Sequence, residues 1–133
     1  MITVLTCGTF DLFHVGHLRL LKRALALGDR LVVGVSSDRL NFEKKNKHAV
    51  YSLNDRIEII RSIRCVTDVF VEDRMEDKRA YIKEHKADIF VIGDDWAGKF
   101  DHLTDLCDVH YLTRTPSVST TEIVEVIRST EGK

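Results

Sequence analysis

A chain of 133 residues leaves room for one compact core, and a single domain spanning residues 1–133 is expected. Its 20 Lys and Arg against 21 Asp and Glu give a formal net charge of -1. No basic excess is present to coat a nucleic acid, so any affinity for charged ligands must come from local clusters. Cys7, Cys65 and Cys107 lie in or beside apolar runs and form no CxxC pair, which gives little support to a zinc site or thioredoxin-like redox chemistry and predicts buried reduced thiols. The start, MITVLTCGTFD, has no basic region before its short apolar run, and no stretch reaches the length of a membrane span. A cytoplasmic protein with no membrane partner is expected.

Residues 2–7 are apolar, rich in β-formers and followed by Gly8, which predicts a strand. Over residues 15–27, Leu18, Leu21, Ala24 and Leu25 recur at helical spacing, and Gly28 is a natural stop. Residues 31–36 read as a second buried strand. The polar, lysine-rich residues 38–48 read as a loop. Ser52 and Asp55 resemble a capping box opening a helix through Ile57, Ile60 and Ile63. A third strand over 66–71, a helix over 78–84 and a fourth strand over 89–92 follow. After a loop come a fifth strand at 109–112 and a last helix over 120–128, with Ile123, Val126 and Ile127 on its inner face. Helices between short apolar strands imply an α/β fold, one doubly wound, Rossmann-like domain with a five-stranded parallel sheet. Such sheets bind ligands beyond the carboxyl ends of their strands, where strand order reverses.

The chemistry-bearing residues do follow strand ends. After the first strand comes Gly8-Thr9-Phe10-Asp11-Leu12-Phe13-His14-Val15-Gly16-His17. It is neither a Walker A loop nor a GxGxxG fingerprint. One histidine alone reads as an ordinary polar residue, as His48, His85, His102 and His110 do. Two at i and i+3, opening a helix, share a face and can address one target. Gly16 lets backbone approach closely, and a helix start offers amide donors to an anion. A metal site would need further ligands that the spacing does not supply.

GTFDLFHVGH resembles the HxGH motif of the nucleotidyltransferase superfamily. The resemblance implies that His14 and His17 contact the phosphates of a nucleoside triphosphate and stabilise the transition state at the α-phosphorus. Gly8, Thr9, Phe10, Asp11 and Gly16 would then form part of the nucleotide pocket. Before the last helix, Arg114 and Ser119-Thr120-Thr121 resemble the RTxGxSTT signature of the cytidylyltransferase branch, with Pro116 and Ser117 in place of an unrestricted residue and glycine. Ser119 and Glu122 also make a capping box, compatible with phosphate binding at the same helix start.

A lysine run is ordinarily a solvated face. By the family resemblance, Lys44 joins Arg114 and the histidines as a catalytic group, Lys45 and Lys47 hold the acceptor, and Arg56 and Arg64 hold the triphosphate. Gly93-Asp94-Asp95-Trp96, within GDDWAGKFD, is similar to the loop of glycerol-3-phosphate cytidylyltransferases. That implies Asp94 at the nucleotide and Asp95 and Trp96 at the acceptor.

The expected substrates are CTP and glycerol 3-phosphate, with Mg2+ on the phosphates, no protein metal site and no nucleic acid partner. The expected products are CDP-glycerol, suited to teichoic-acid-like polymers, and pyrophosphate; the expected assembly is a homodimer. Two alternatives stand beside this reading: another phosphorylated acceptor (an alditol phosphate, phosphoethanolamine, or FMN with ATP), or a non-catalytic nucleotide-binding relative.

Overall fold

The computed structural model describes residues 1–114 and 119–130. In chain order its elements are β1 (Thr3–Gly8), α1 (Val15–Leu25), β2 (Arg30–Ser36), α2 (Asp38–Lys45), α3 (Leu53–Arg61), β3 (Asp68–Glu72), α4 (Lys78–Glu84), β4 (Ile89–Gly93), β5 (Asp108–Leu112) and α5 (Thr120–Thr130). Among the described residues the strands form one five-stranded sheet in the order β3-β2-β1-β4-β5. Every neighbouring pair is parallel, with Gly8 opposite Val35, Thr6 opposite Val91 and Ser36 opposite Glu72. The expected α/β class and five parallel strands are thus observed. The order reverses between β1 and β4, so a cleft opens at their carboxyl ends.

Alternation along the strands builds two cores. Val4, Leu31, Val33, Val35, Ile89 and Val91 face α1 and α3, where Leu21, Ala24 and Ile60 close over them. Leu5, Phe90 and Ile92 point to the opposite face, against Ile82 of α4, Phe100 and Leu103. Burial on both faces explains why the strands read as continuous apolar runs. Gly28 is required where α1 turns into β2, because a Cβ there would lie 2.8 Å from the carbonyl oxygen of Ile2.

Some local readings are corrected. Residues 38–45 are helical and not a loop. Ser37 caps them by accepting from the Leu40 amide, Asp38 sits in the first turn, Lys44 and Lys45 in the last, and Asn46 ends the helix at φ 54. Those caps were present in the sequence, but the helix has little apolar face and buries only Leu40 and Asn41. β3 begins at Asp68 and not at 66, because the Val66 amide bonds to Ile63 and the Thr67 amide to Leu31. Val126 and Ile127 are exposed, at 63% and 60%, and do not form an inner face of α5. Cys7, Cys65 and Cys107 are free thiols, and Cys65 is only partly buried. Among the described residues no helix is long and apolar enough to cross a membrane.

Candidate active site

At the switch between β1 and β4 lies a cleft of about 310 Å³. Its walls come from the β1–α1 loop, the first turns of α1, residues 41–49, the Gly93–Asp95 turn, residues 112–114 and the start of α5.

His14 is the N-cap of α1, and its Nδ1 accepts from the Gly16 amide at 3.0 Å. His17 Nδ1 accepts from the His14 amide at 3.2 Å, completing a capping box made of two imidazoles. A ring nitrogen that accepts from an amide carries no proton, so in each neutral ring the proton sits on Nε2. The rings stack with centroids 3.8 Å apart. Phe10 and Phe13 each stand 5.4 Å from the His17 ring. Burial among these rings pushes His17 down to about 3, with His14 and Lys45 acting in the same direction and Asp11 opposing them. His14 is also lowered, by burial first and then by Arg114. Both imidazoles therefore enter the cleft as neutral donors, poised for oxygens that bring their own negative charge.

This arrangement predicts a sign for stability against pH. In the unfolded chain a histidine titrates near ~6.5, whereas folded His17 stays neutral down to about 3. Between those values the unfolded state binds more protons, so stability falls as pH falls, by at most ~1.4 kcal/mol per pH unit from this one group. Denaturant unfolding at pH 7 and pH 5 should show a smaller loss for His17→Gln than for the wild type. Equal losses in both proteins would refute the buried neutral imidazole.

Side chains from distant segments fix the wall opposite α1. Thr9 Oγ1 donates to Asn41 Oδ1 at 2.7 Å, and Asn41 Nδ2 donates to the Lys47 carbonyl at 3.3 Å. The Asp11 carboxylate accepts from the Val50 amide at 2.7 Å and the Tyr51 amide at 2.9 Å. Phe10 and Leu12 adopt left-handed backbone, φ 53 and φ 48, a conformation that non-glycine residues keep only where surrounding bonds enforce it. On the other side, Arg23 Nη1 donates to the Thr113 carbonyl at 2.7 Å. Arg114 reaches across to Asp95 at 4.0 Å, with both side chains exposed. Ser119 accepts from the Glu122 amide at 3.0 Å, and Thr120 Oγ1 donates to the Asp11 carbonyl at 2.8 Å. The start of α5 is thereby pinned to the β1–α1 loop, and Ser119, Thr120 and Thr121 line the cleft together with His14 and His17.

The fold brings together most of the residues singled out from sequence: Gly8, Thr9, Phe10, Asp11, His14, Gly16, His17, Lys45, Lys47, Asp94, Asp95, Arg114, Ser119, Thr120 and Thr121 all line the cleft. Four others are placed elsewhere. Arg56 is wholly buried behind the cleft wall, donating to the carbonyls of Thr9, Ser36 and Tyr51 and to Asp38. Arg64 is exposed in the turn after α3 and does not line the cleft. Trp96 packs on Phe100 with ring centroids 5.7 Å apart and lies off the lining. Lys44 also lies off it, its ammonium bonded to Ser36 Oγ at 2.8 Å. Pro116 and Ser117 lie outside the described residues. Sequence reasoning missed Arg23, Asn41 and His48 in the lining. Arg23 continues the three-residue spacing of His14, His17 and Leu20, a signal that was there to be read.

Among the described residues no group of three or more His, Cys, Asp or Glu side chains is arranged to hold a metal ion. Of the lining carboxylates, Asp11 is engaged by backbone amides while Asp94 and Asp95 are exposed.

Compared with known proteins, residues 5–131 match a family described as cytidylyltransferase-like. The glycerol-3-phosphate cytidylyltransferase of Bacillus subtilis strain 168 is 51% identical over 124 residues, 93% of this chain and 95% of that protein. An FAD synthase of Pyrococcus abyssi is 38% identical over 94 residues, 71% of this chain and 64% of that protein. Among solved structures, the lipopolysaccharide core biosynthesis protein from Thermoplasma volcanium GSS1 has a TM-score of 0.73 at 26% identity, covering 86% of this chain and 98% of that one.

Proposed function

Because the chain belongs to the cytidylyltransferase-like family and is a nucleotidyltransferase, we propose that it joins CTP to glycerol 3-phosphate, giving CDP-glycerol and pyrophosphate. The single observation that carries this reading is the pair of stacked histidines at the start of α1, each with its Nδ1 on a backbone amide and its Nε2 left for the cleft, in a chain 51% identical over 124 residues to an enzyme of that name. The lower identity and coverage of the FAD synthase favour this acceptor over FMN.

The chemistry is an in-line displacement. A phosphate oxygen of glycerol 3-phosphate attacks the α-phosphorus of CTP, the new P–O bond forms, and the bond to the β-phosphate oxygen breaks with its electrons leaving on pyrophosphate. A phosphate monoester has its second pKa near ~6, so the attacking oxygen is already largely deprotonated and no side chain has to act as base. The step needs fixed positive potential around oxygens that would otherwise repel each other. His14 and His17 supply Nε2–H donors. Arg114, with its exposed guanidinium on the opposite wall, supplies a planar cation suited to phosphate oxygens. The start of α5 offers its amides and the hydroxyls of Ser119 and Thr121 to the phosphates, while the Thr120 hydroxyl holds the Asp11 carbonyl.

Gly8, Thr9, Phe10, Asp11, Gly16 and Asp94 shape the nucleotide pocket in this reading. Lys45, Lys47 and Asp95 lie toward the acceptor, and Lys44, bonded to Ser36 behind the cleft wall, adds positive potential to the site without lining it. Arg56 serves the nucleotide indirectly, by holding the wall. Mg2+ fits as a companion of the triphosphate, since the cleft offers only scattered carboxylates; its contribution would be to neutralise phosphate charge. By family resemblance we also propose a cytoplasmic homodimer.

The test is pyrophosphate release from purified protein with each of CTP, ATP, GTP and UTP, against a panel of phosphorylated acceptors and increasing Mg2+. Release is expected with CTP and glycerol 3-phosphate together. The Mg2+ requirement should track the CTP concentration, with no tight metal binding in the absence of nucleotide. Turnover with ATP and FMN instead would replace this reading. CTP binding without turnover on any acceptor would favour a non-catalytic protein.

A further inference from the structure

Behind the cleft, the carboxyl ends of β2 and β3 enclose charged groups that the reaction above uses only in part. Ser36 and Glu72 are register partners on these strands and both are 0% exposed. Ser36 Oγ donates to Glu72 Oε1 at 3.1 Å and accepts from Lys44 Nζ at 2.8 Å. Lys44 Nζ itself lies 3.9 Å from the same carboxylate oxygen, and its side chain is 11% exposed. The other oxygen, Oε2, is bonded by Lys78 Nζ, whose side chain is 3% exposed. Lys78 Nζ also stands 3.7 Å from Met75 Sδ and 5.5 Å from the centre of the Phe100 ring. Two ammonium groups thus share one carboxylate, one positive charge in excess, in a place where an apolar cluster would cost less to bury.

The cluster is tied to the cleft. Cys7 of β1, whose thiol is acted on by the charges of Lys78 and Lys44, is part of the cleft wall. Lys44 directly precedes Lys45, which lines the cleft, and the buried Arg56 of α3 adds a further positive charge acting on both lysines. Lys78 occupies one carboxylate oxygen and leaves the other to face the Ser36 hydroxyl and the Lys44 ammonium.

We propose that Glu72 is a positioning residue for the transfer. Its carboxylate, shared between Lys78 and the Lys44–Ser36 pair, fixes the Lys44 ammonium at the carboxyl end of β2, behind the cleft wall. The proposal rests on the role given to Lys44 above. Lys44 is held in a buried position near Lys78, Arg56 and Lys45; Asp38 pairs with Arg56 and Asp11 acts on Lys45, so Glu72 is left to offset Lys44 and Lys78.

Glu72→Gln tests this, because it keeps the volume and a partner for Ser36 while removing the charge. The rate of pyrophosphate release, as kcat/KM from pH 6 to 10, should fall tenfold or more at pH 8. Its alkaline limb should move down by one pH unit or more, since Lys44 loses its proton sooner among unbalanced cations. Ser36→Ala, a smaller change that keeps the proposal testable if Glu72→Gln does not fold, should move the limb the same way by less. In a Lys44→Ala background, Glu72→Gln should add less than a twofold loss.

A folded Glu72→Gln with its alkaline limb in place overturns the proposal, as does an equal loss in both backgrounds. So does full activity of Lys44→Ala, which would remove the residue on which Glu72 acts. An inactive wild type would instead strike at the proposed reaction itself, and is thereby distinguished from these outcomes.

Discussion

Alanine in place of His17 lowers kcat by roughly 10²–10³, the usual cost of losing one aimed donor at a transition state. The ring sits at the third position of α1 with its Nδ1 on the His14 amide, which leaves Nε2–H for the phosphate. Its neutrality matters. A donor that is not already paired with an anion gains most when charge accumulates on the oxygens during displacement. The same substitution also removes half of the capping box, and a lost cap costs ~1 kcal/mol of stability, far too little to unfold a domain. Thermal melting separates the two effects: the variant should remain folded at assay temperature with its kcat collapsed. A rise in KM for CTP with kcat unchanged would mean that His17 only binds the nucleotide.

Arg56→Ala is expected to be the most damaging single change to the fold. The guanidinium is fully buried and donates to Tyr51 O at 3.1 Å, Thr9 O at 3.0 Å and Ser36 O at 2.7 Å, with Asp38 at 2.6 Å. It joins the end of β1, the end of β2 and the segment entering α3, the parts that shape one wall of the cleft. Removing it strands three carbonyls and leaves a void, at a cost of about 3–5 kcal/mol by analogy with broken buried charge pairs. For a chain of this size that corresponds to a fall in Tm of roughly 10–20 °C. Arg56→Lys should recover little, because one ammonium cannot span three carbonyls set around a planar fork. A melting temperature within a few degrees of the wild type would show that the strap is dispensable.

These two residues also mark where sequence reading works and where it stops. His14 and His17 were legible because a helix start, a preceding glycine-ended strand and three-residue spacing all lie within one short segment. Arg56 was legible as important but not in its role. Whether a cation faces a ligand or the backbone depends on which carbonyls the fold brings round it, and Thr9 and Ser36 are 47 and 20 residues away in the chain. The same holds for Glu72, which meets Lys44 only because β2 and β3 pair in parallel at the register that sets Ser36 against it. The strands themselves were readable from apolar runs, since burial on both faces leaves no alternation to misread. The helix α2 was not, because its stability rests on end caps and on Leu40 and Asn41 rather than on an apolar stripe. Arg64 shows the converse: a match to a family pattern said nothing of its direction, and its side chain lies in an exposed turn.

The segment between α2 and α3 has no regular secondary structure, yet Asn41, Asp11 and Arg56 hold it at Lys47, Val50 and Tyr51 through its backbone. Ordering a residue costs about 1–2 kcal/mol in lost conformational freedom, and here that cost falls on folding rather than on the arrival of nucleotide. Since the ties reach only main-chain atoms, the side chains of His48 and Ala49, which line the cleft, are left unconstrained by them. Substitution at Ala49 can retune what the cleft accepts while the loop keeps its course, whereas the His48 ring stacks on Phe42 with centroids 4.7 Å apart, so a change there also releases a contact with α2.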